Sequence, residues 1–438
     1  MKFIKKTVAT LSGAALIFGL AACGSGSSNT SSTSASGDKT TLTVWAWEPY
    51  LKKAVPAFEK ANPNIKIKLV NAGTNVEEYS ALNNAIQAGS GAPDLVQLDF
   101  VAISQFALQD SLEPLDDLGA TNDVTKFTDA VKQDISYNNK IYSMPLGLGP
   151  MAFFYNKEVF DKAGIANAPT TWDEFYQDAK KVRALGKDYY IANDSGDAGM
   201  ITSMLWAAGA HPFKVDGQKV TIDFSSPEVK KYTTFWQKLI DEDLIDTQTV
   251  GWSDDWYKGI GSGHIASLAI GSWMTITLED SIKDLSGKMR VAALPGWSKD
   301  DHRTSENGGG GLSIVKGSQN AEAAYKFAQF ISVGEGSQIA VDAGMTPANK
   351  DILNSDEFLN KEYPYFGNQK INKIVSESVK NVGTDFQFLP YTAYANKIFA
   401  DSAGKAYTDK TITVQDGLNE WQKQLVDYGN QQGFEVNK

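Results

Sequence analysis

The chain has 438 residues, with 41 lysines and arginines against 52 aspartates and glutamates, a formal net charge of −11 and a single cysteine. That acidic balance excludes nucleic acid and electrostatic docking on anionic lipid as the basis of function. The length exceeds one ordinary domain and is enough for two lobes that each bury a core.

At the N-terminus, Lys2, Lys5 and Lys6 precede an apolar run over 11–20 and small residues before Cys23. This is the pattern of an export signal over 1–22, and the run is too short to span a bilayer. Leu20-Ala21-Ala22-Cys23 resembles the lipobox of bacterial lipoproteins, which implies lipidation of Cys23 as the first mature residue. The alternative is an ordinary secretory signal cleaved near Ala22, with a spare thiol. Cys23 has no other cysteine to pair with, although an exported chain is free to form disulfides. Two acyl chains anchor stably where one is marginal. Residues 24–37 are nearly all Ser, Gly, Thr and Ala, so 23–38 reads as anchor and flexible tether. Removal of 1–22 leaves 416 residues and takes away three lysines, for 38 basic against 52 acidic residues and a net of −14. No later apolar run approaches the roughly 20 residues of a membrane helix, so the lipid is the only membrane element expected.

Beyond the tether, extended and helical patterns alternate, as in a parallel α/β architecture. TLTVWAW at 41–47 predicts a strand, 52–61 a helix, IKIKLV at 65–70 a second strand by its period of two, 76–89 a helix, and DLVQL at 94–98 a buried third strand. The pattern breaks over 147–150 and restarts as AFFYN at 152–156, a first candidate crossing between lobes. NGGGG at 307–311 marks a second, and 346–353 a third. Three crossings imply discontinuous lobes, 39–151 plus 308–352 and 152–307 plus 353–438, facing across a cleft. No internal repeat is present.

Over nearly the whole mature chain the residues resemble the extracellular sugar-binding lipoproteins of ABC importers, the family 1 solute-binding proteins related to maltodextrin-binding proteins. The segments that carry the likeness are TLTVWAWEPY at 41–50, AFEKANPNIKIKL at 57–69, GAPDLVQLD at 91–99, FFYNKEVFDKAGI with TTWDEF at 153–175, GHIASLAIGSWM at 263–274, AALPGW at 292–297, GGGGLSIVKGSQNAEAAYKFAQFI at 308–331 and TVQDGLNEWQKQL at 413–425. Their order and spacing make the match specific. The resemblance implies a Venus-flytrap receptor: two α/β lobes joined by hinge strands, closing on a sugar and presenting it to a membrane permease. It also implies a monomer without cofactor.

A pyranose has an apolar face and a rim of hydroxyls, so its site needs flat aromatic platforms edged by donors and acceptors. In open α/β sheets ligands bind beyond the carboxyl ends of strands. Trp47 and Glu48 follow the first expected strand, and Asp99 and Phe100 the third, so these four are expected on the first-lobe wall, with Trp45 in the core. For the second lobe the resemblance makes Trp273 the stacking residue, in Gly271-Ser272-Trp273. Asp197, in the turn 195–197, is a candidate hydroxyl acceptor. Trp252 and Trp256 are either a lip over the cleft or part of a solvent-facing amphipathic helix. Gly309 is the candidate contact among glycines 308–311, which alternatively only permit the crossing. Phe386 and Tyr391 lie where the family often supplies a second platform, although no Trp occupies 384–394, unlike the maltose type.

Catalytic signatures are weak. His211, His264 and His302 are far apart and fit no metal spacing. No G-x-S-x-G elbow occurs. The formal dinucleotide match over 147–152 is spoiled by Pro150. A lipoprotein glycoside hydrolase is the serious alternative, since it would also combine aromatics with a carboxylate pair. Glu77-Glu78 and Asp116-Asp117 read as solvated helix faces. Arg183, Arg290 and Arg303 are too few for an anion receptor, and the lack of repeats argues against an adhesin.

Overall fold

The structure, a computed structural model, describes residues 39–437; the expected signal, Cys23 and the tether lie outside the described residues. β1 (Thr40–Trp45), α1 (Leu51–Ala61), β2 (Ile65–Val70), α2 (Val76–Gln87), β3 (Leu95–Asp99) and α3 (Phe100–Leu108) succeed one another. α1 buries Leu51, Ala54 and Phe58, a spacing that lays one apolar stripe against the sheet. β1 pairs in parallel with both β2 and β3. It ends two residues before the sequence pattern does. Ala46 still donates to the Val70 carbonyl at 3.0 Å, but the amides of Trp47 and Glu48 turn to the side-chain oxygen of Gln97 at 3.1 and 3.2 Å. Gln97, on the neighbouring strand, thus peels the chain off the sheet and fixes where the next side chains start.

Two antiparallel strands continue this sheet. Glu306–Ile314 pairs with β3, and the first half of Met144–Asn156 pairs with Glu306–Ile314. The second half of Met144–Asn156 is flanked by Ser267–Gly271 on one edge and Met289–Ala293 on the other. The break expected over 147–150 does not exist: the strand runs unbroken for 13 residues, all buried. Its glycines answer crowding, not turning. A Cβ on Gly149 would lie 2.6 Å from the Asn307 carbonyl oxygen, so the two strands pass only where no side chain intervenes.

Buried apolar side chains gather in three clusters. One is built on β1, β3, α3 and the first half of the long strand, with Leu312, Ile314 and the helix Ala321–Val333. The second joins Met151 and Phe153 to Trp172, Trp236 and the C-terminal helix Val414–Gln431 through Trp421. The third contains Phe154, Trp256, Met274 and Phe366. Leu148 thus packs in one core while Met151 and Ala152, three and four residues on, pack in the others. Beyond Thr346 the packing alternates: Leu353, Phe358 and Val379 join the first cluster, Tyr365 and Ile371 the third, and Val382 onward the second. The result is a two-lobed α/β architecture strung on shared strands. Among the described residues no helix is long and apolar enough to cross a membrane.

Candidate functional site

A cleft of about 1110 Å³ opens between the carboxyl ends of β1 and β3 on one side and the segment around Trp273 on the other. Trp47, Glu48, Asp99, Trp252, Trp273 and Gly309 all line it, so six of the expected residues converge. Tyr50 and Tyr363 add aromatic faces, and Lys53, Glu279 and Lys361 add charge.

Trp273 precedes the helix Met274–Ser281 and donates from its indole Nε1 to the Asn307 carbonyl at 2.6 Å. This bond presses the ring onto the crossing strand, where Gly308 has φ +85° and a Cβ would come within 2.8 Å of Nε1. Gly271 makes room for the same ring. The glycine run therefore seats an aromatic platform, a role beyond permitting the crossing. Gly309, at φ +84°, lines the cleft with Phe100 directly behind it.

Trp252 stacks on Trp273 with ring centroids 5.5 Å apart and lies tilted against Trp256 at 4.9 Å. It is half exposed and has φ +68°, a left-handed conformation that costs a residue with a side chain on the order of 1–3 kcal/mol. Ser253 caps the helix Asp254–Ser262, accepting the Trp256 amide, and this turns Trp256 inward. Trp256 is buried, which overturns the solvent-facing alternative for it.

The opposite wall is acidic. Asp99 accepts the Tyr79 hydroxyl at 2.7 Å, and burial pushes its carboxyl up to about 6. Burial first, and the nearby Asp99 charge second, raise Glu48 to about 7. Behind them Glu78 is fully buried, with neither carboxyl oxygen hydrogen-bonded, and is raised to about 8 by burial and then by Asp99. Glu77-Glu78 is therefore not a solvated pair; only Glu77 faces water. Carboxylates held without a cation suit neutral hydroxyl donors. Among the described residues no group of three or more His, Cys, Asp or Glu could hold a metal ion.

Asp197 and Trp256 lie outside the main cleft, in a smaller chamber of about 110 Å³ that Trp252 also lines. Asp197 caps the helix Ala198–Ala207, its Oδ1 accepting the Met200 amide at 2.7 Å. Three more expected residues line neither the cleft nor this chamber. Phe100 is buried and borders a separate cavity of about 150 Å³ with Asp134 and Phe386. Phe386 is buried against Trp206, rings 5.0 Å apart and nearly parallel. Tyr391 is core, packed on Tyr428 and Phe434. Tyr79, Gln97, Glu78 and Tyr363 contribute without being expected from the sequence, since their roles depend on which face of α2 and which strand neighbour meet the cleft.

Two lobes joined by shared strands, with an aromatic and carboxylate-lined cleft between them, define a receptor that encloses a small polar ligand. The model of the bacterial extracellular solute-binding protein family matches residues 46–332, more than half of the sequence, and the chain belongs to that family. It is similar to the arabinooligosaccharide-binding protein of Bacillus subtilis (strain 168), 27% identical over 346 residues covering 75% of this chain and 78% of that protein. Among solved structures it resembles the ABC transporter associated binding protein of B. animalis subsp. lactis Bl-04 in complex with beta-1,6-galactobiose, with a TM-score of 0.82 and 43% identity over 92% of this chain and 100% of that one. The galacto-N-biose-/lacto-N-biose I-binding protein of Bifidobacterium longum shares the fold, with a TM-score of 0.81 and 24% identity over 92% of this chain and 100% of that one.

Proposed function

We propose that this protein is the carbohydrate-capturing component of an ABC importer, taking a di- or short oligosaccharide into the interlobe cleft and delivering it to membrane permease subunits. The observation that carries this reading is the pairing across one cleft of indole faces, Trp47 on one wall and Trp273 with Trp252 on the other, with acceptors Glu48 and Asp99. The volume of about 1110 Å³ lies just above the about 300–1,000 Å³ usual for small-molecule sites, which suits more than one sugar ring. The similarity to a galactobiose-bound receptor makes β-linked galactosides the first ligands to try. Sugar bridging both walls favours the closed state by its differential affinity, with 39–151 plus 308–352 and 152–307 plus 353–438 as the moving lobes, save that Leu353, Phe358 and Val379 pack in the core of the first. Glu48 and Asp99 serve as hydrogen-bond acceptors, without hydrolysing the ligand.

A saccharide panel read by thermal shift tests this directly. A bound sugar at a hundredfold excess over Kd stabilises the folded form by about 2.7 kcal/mol, and at least one galactobiose or other short oligosaccharide is expected to do so. Absence of any shift across the panel, or release of monosaccharide from the bound ligand, would overturn the reading. The receptor is further proposed to act as a monomer held at the outer face of the membrane by lipid on Cys23. Cys23→Ser is expected to appear in the soluble fraction with unchanged sugar affinity; a serine variant still wholly in the membrane fraction would disprove the anchor.

A further inference from the structure

We propose that the small chamber behind Trp252 is a subsite for one terminal pyranose of the bound saccharide, and that Trp252 is the movable partition through which that ring enters. The inference rests on the carbohydrate-binding reading above and adds which part of the ligand goes where.

Trp252 is the side chain common to both spaces: its ring lines the cleft and the chamber. At about 110 Å³ the chamber alone is smaller than the about 150 Å³ of a cavity that accommodates a benzene ring, so a pyranose fits only once the Trp252 indole has left and added its own volume, and no longer chain fits. Its walls have the chemistry of a sugar site in miniature. Phe175 and Trp256 offer apolar faces, while Asp194, Asp197 and Asn193 offer polar edges. Asp194 is held rigidly, one oxygen accepting the Trp236 indole at 2.7 Å and the other the Gly196 amide at 2.9 Å. Asn193 donates to the carbonyls of Asp246 and Thr249 at 3.0 and 2.7 Å.

The partition is built to move. Val250, Gly251 and Trp252 span the gap between Thr249, tied down by Asn193, and Ser253, which caps the next helix. Val250 and Trp252 are the most exposed large apolar side chains among the described residues, at 63% and 49%. A Cβ on Gly251 would meet nothing within 4 Å. Trp252 has a left-handed backbone while its ring stacks on Trp273 and tilts against Trp256. A ring entering the chamber exchanges those contacts for its own, and release of the unfavourable φ favours the exchange. Because the chamber admits one ring, recognition is of a chain end, and the cleft holds the remaining units.

The test uses the galactobiose that gives the largest thermal shift with the wild-type protein, in three forms: free, extended by a bulky label at the reducing end, and capped at the non-reducing end. Titration calorimetry is expected to find one modified form bound within threefold of the free sugar and the other weakened at least a hundredfold. Trp252→Gly, which keeps the positive φ without cost, and Asp197→Asn, which retains a helix cap, are each expected to weaken the free sugar about tenfold or more. Equal tolerance of both modified forms, or wild-type affinity in both variants, would overturn the subsite while leaving carbohydrate binding in the main cleft intact.

Discussion

Trp273→Ala is expected to weaken carbohydrate binding by about thirtyfold or more, equivalent to about 2 kcal/mol, from the loss of a stacking face and its buried area. The expectation rests on how the ring is held. Its Nε1 is tied to the Asn307 carbonyl on one crossing strand, and its face is stacked on Trp252. Removing it deletes one platform and unseats a second. Trp273→Phe separates these contributions: it keeps an apolar face but drops the bond to Asn307, so an intermediate loss is expected. Calorimetric titration checks both variants, and unchanged affinity in the alanine variant would remove Trp273 from the site.

Glu78→Gln is expected to stabilise the protein at neutral pH and to leave it unchanged near pH 4. In the unfolded chain this carboxyl ionises at about 4.3, whereas in the folded protein burial, with help from the Asp99 charge, raises it to about 8. The folded state therefore holds an extra proton between those values. The contribution of Glu78 to stability is greatest below about pH 4 and is lost progressively as pH rises towards 8. Glutamine removes that loss, a gain on the order of 4 kcal/mol at pH 7, or about 4–5 °C in melting midpoint for a unit of this size. Glu78→Met, which buries no polar group at all, should flatten the pH dependence in the same way. Melting curves from pH 4 to 8 decide the matter: a variant-to-wild-type difference that does not grow with pH would mean that Glu78 is not carried as a neutral acid.

These two residues also mark what could and could not be read from the sequence. Trp273 is named by the family resemblance, and the apolar run before Gly271-Ser272 adds only that it follows a strand end, where the structure places it on the cleft wall. Glu78 was not legible. The helix pattern of α2 is weak, and which of two adjacent glutamates faces inward depends on the phase at which Tyr79 and Leu82 meet the sheet. The first five elements were readable to within two residues because each carries a local signal, periodicity in β2 and an unbroken apolar run in β3. The long strand Met144–Asn156 was cut in two at 147–150, since glycine and proline signal a turn unless one knows that Asn307 and its neighbours press against them. Phe386 and Tyr391 failed as cleft candidates for a related reason: their partners Trp206, Tyr428 and Phe434 come from distant segments that local pattern cannot bring together.

The unbroken, wholly buried strand Met144–Asn156 bears on survival as well as on motion. Proteolytic nicking concentrates at exposed loop tips, where the backbone can be drawn into an enzyme's active site. At this crossing a protease finds no such loop, because every residue is covered and the strand is paired on both edges through its second half. The crossing between the cores is thus made of backbone that offers a protease nothing to cut.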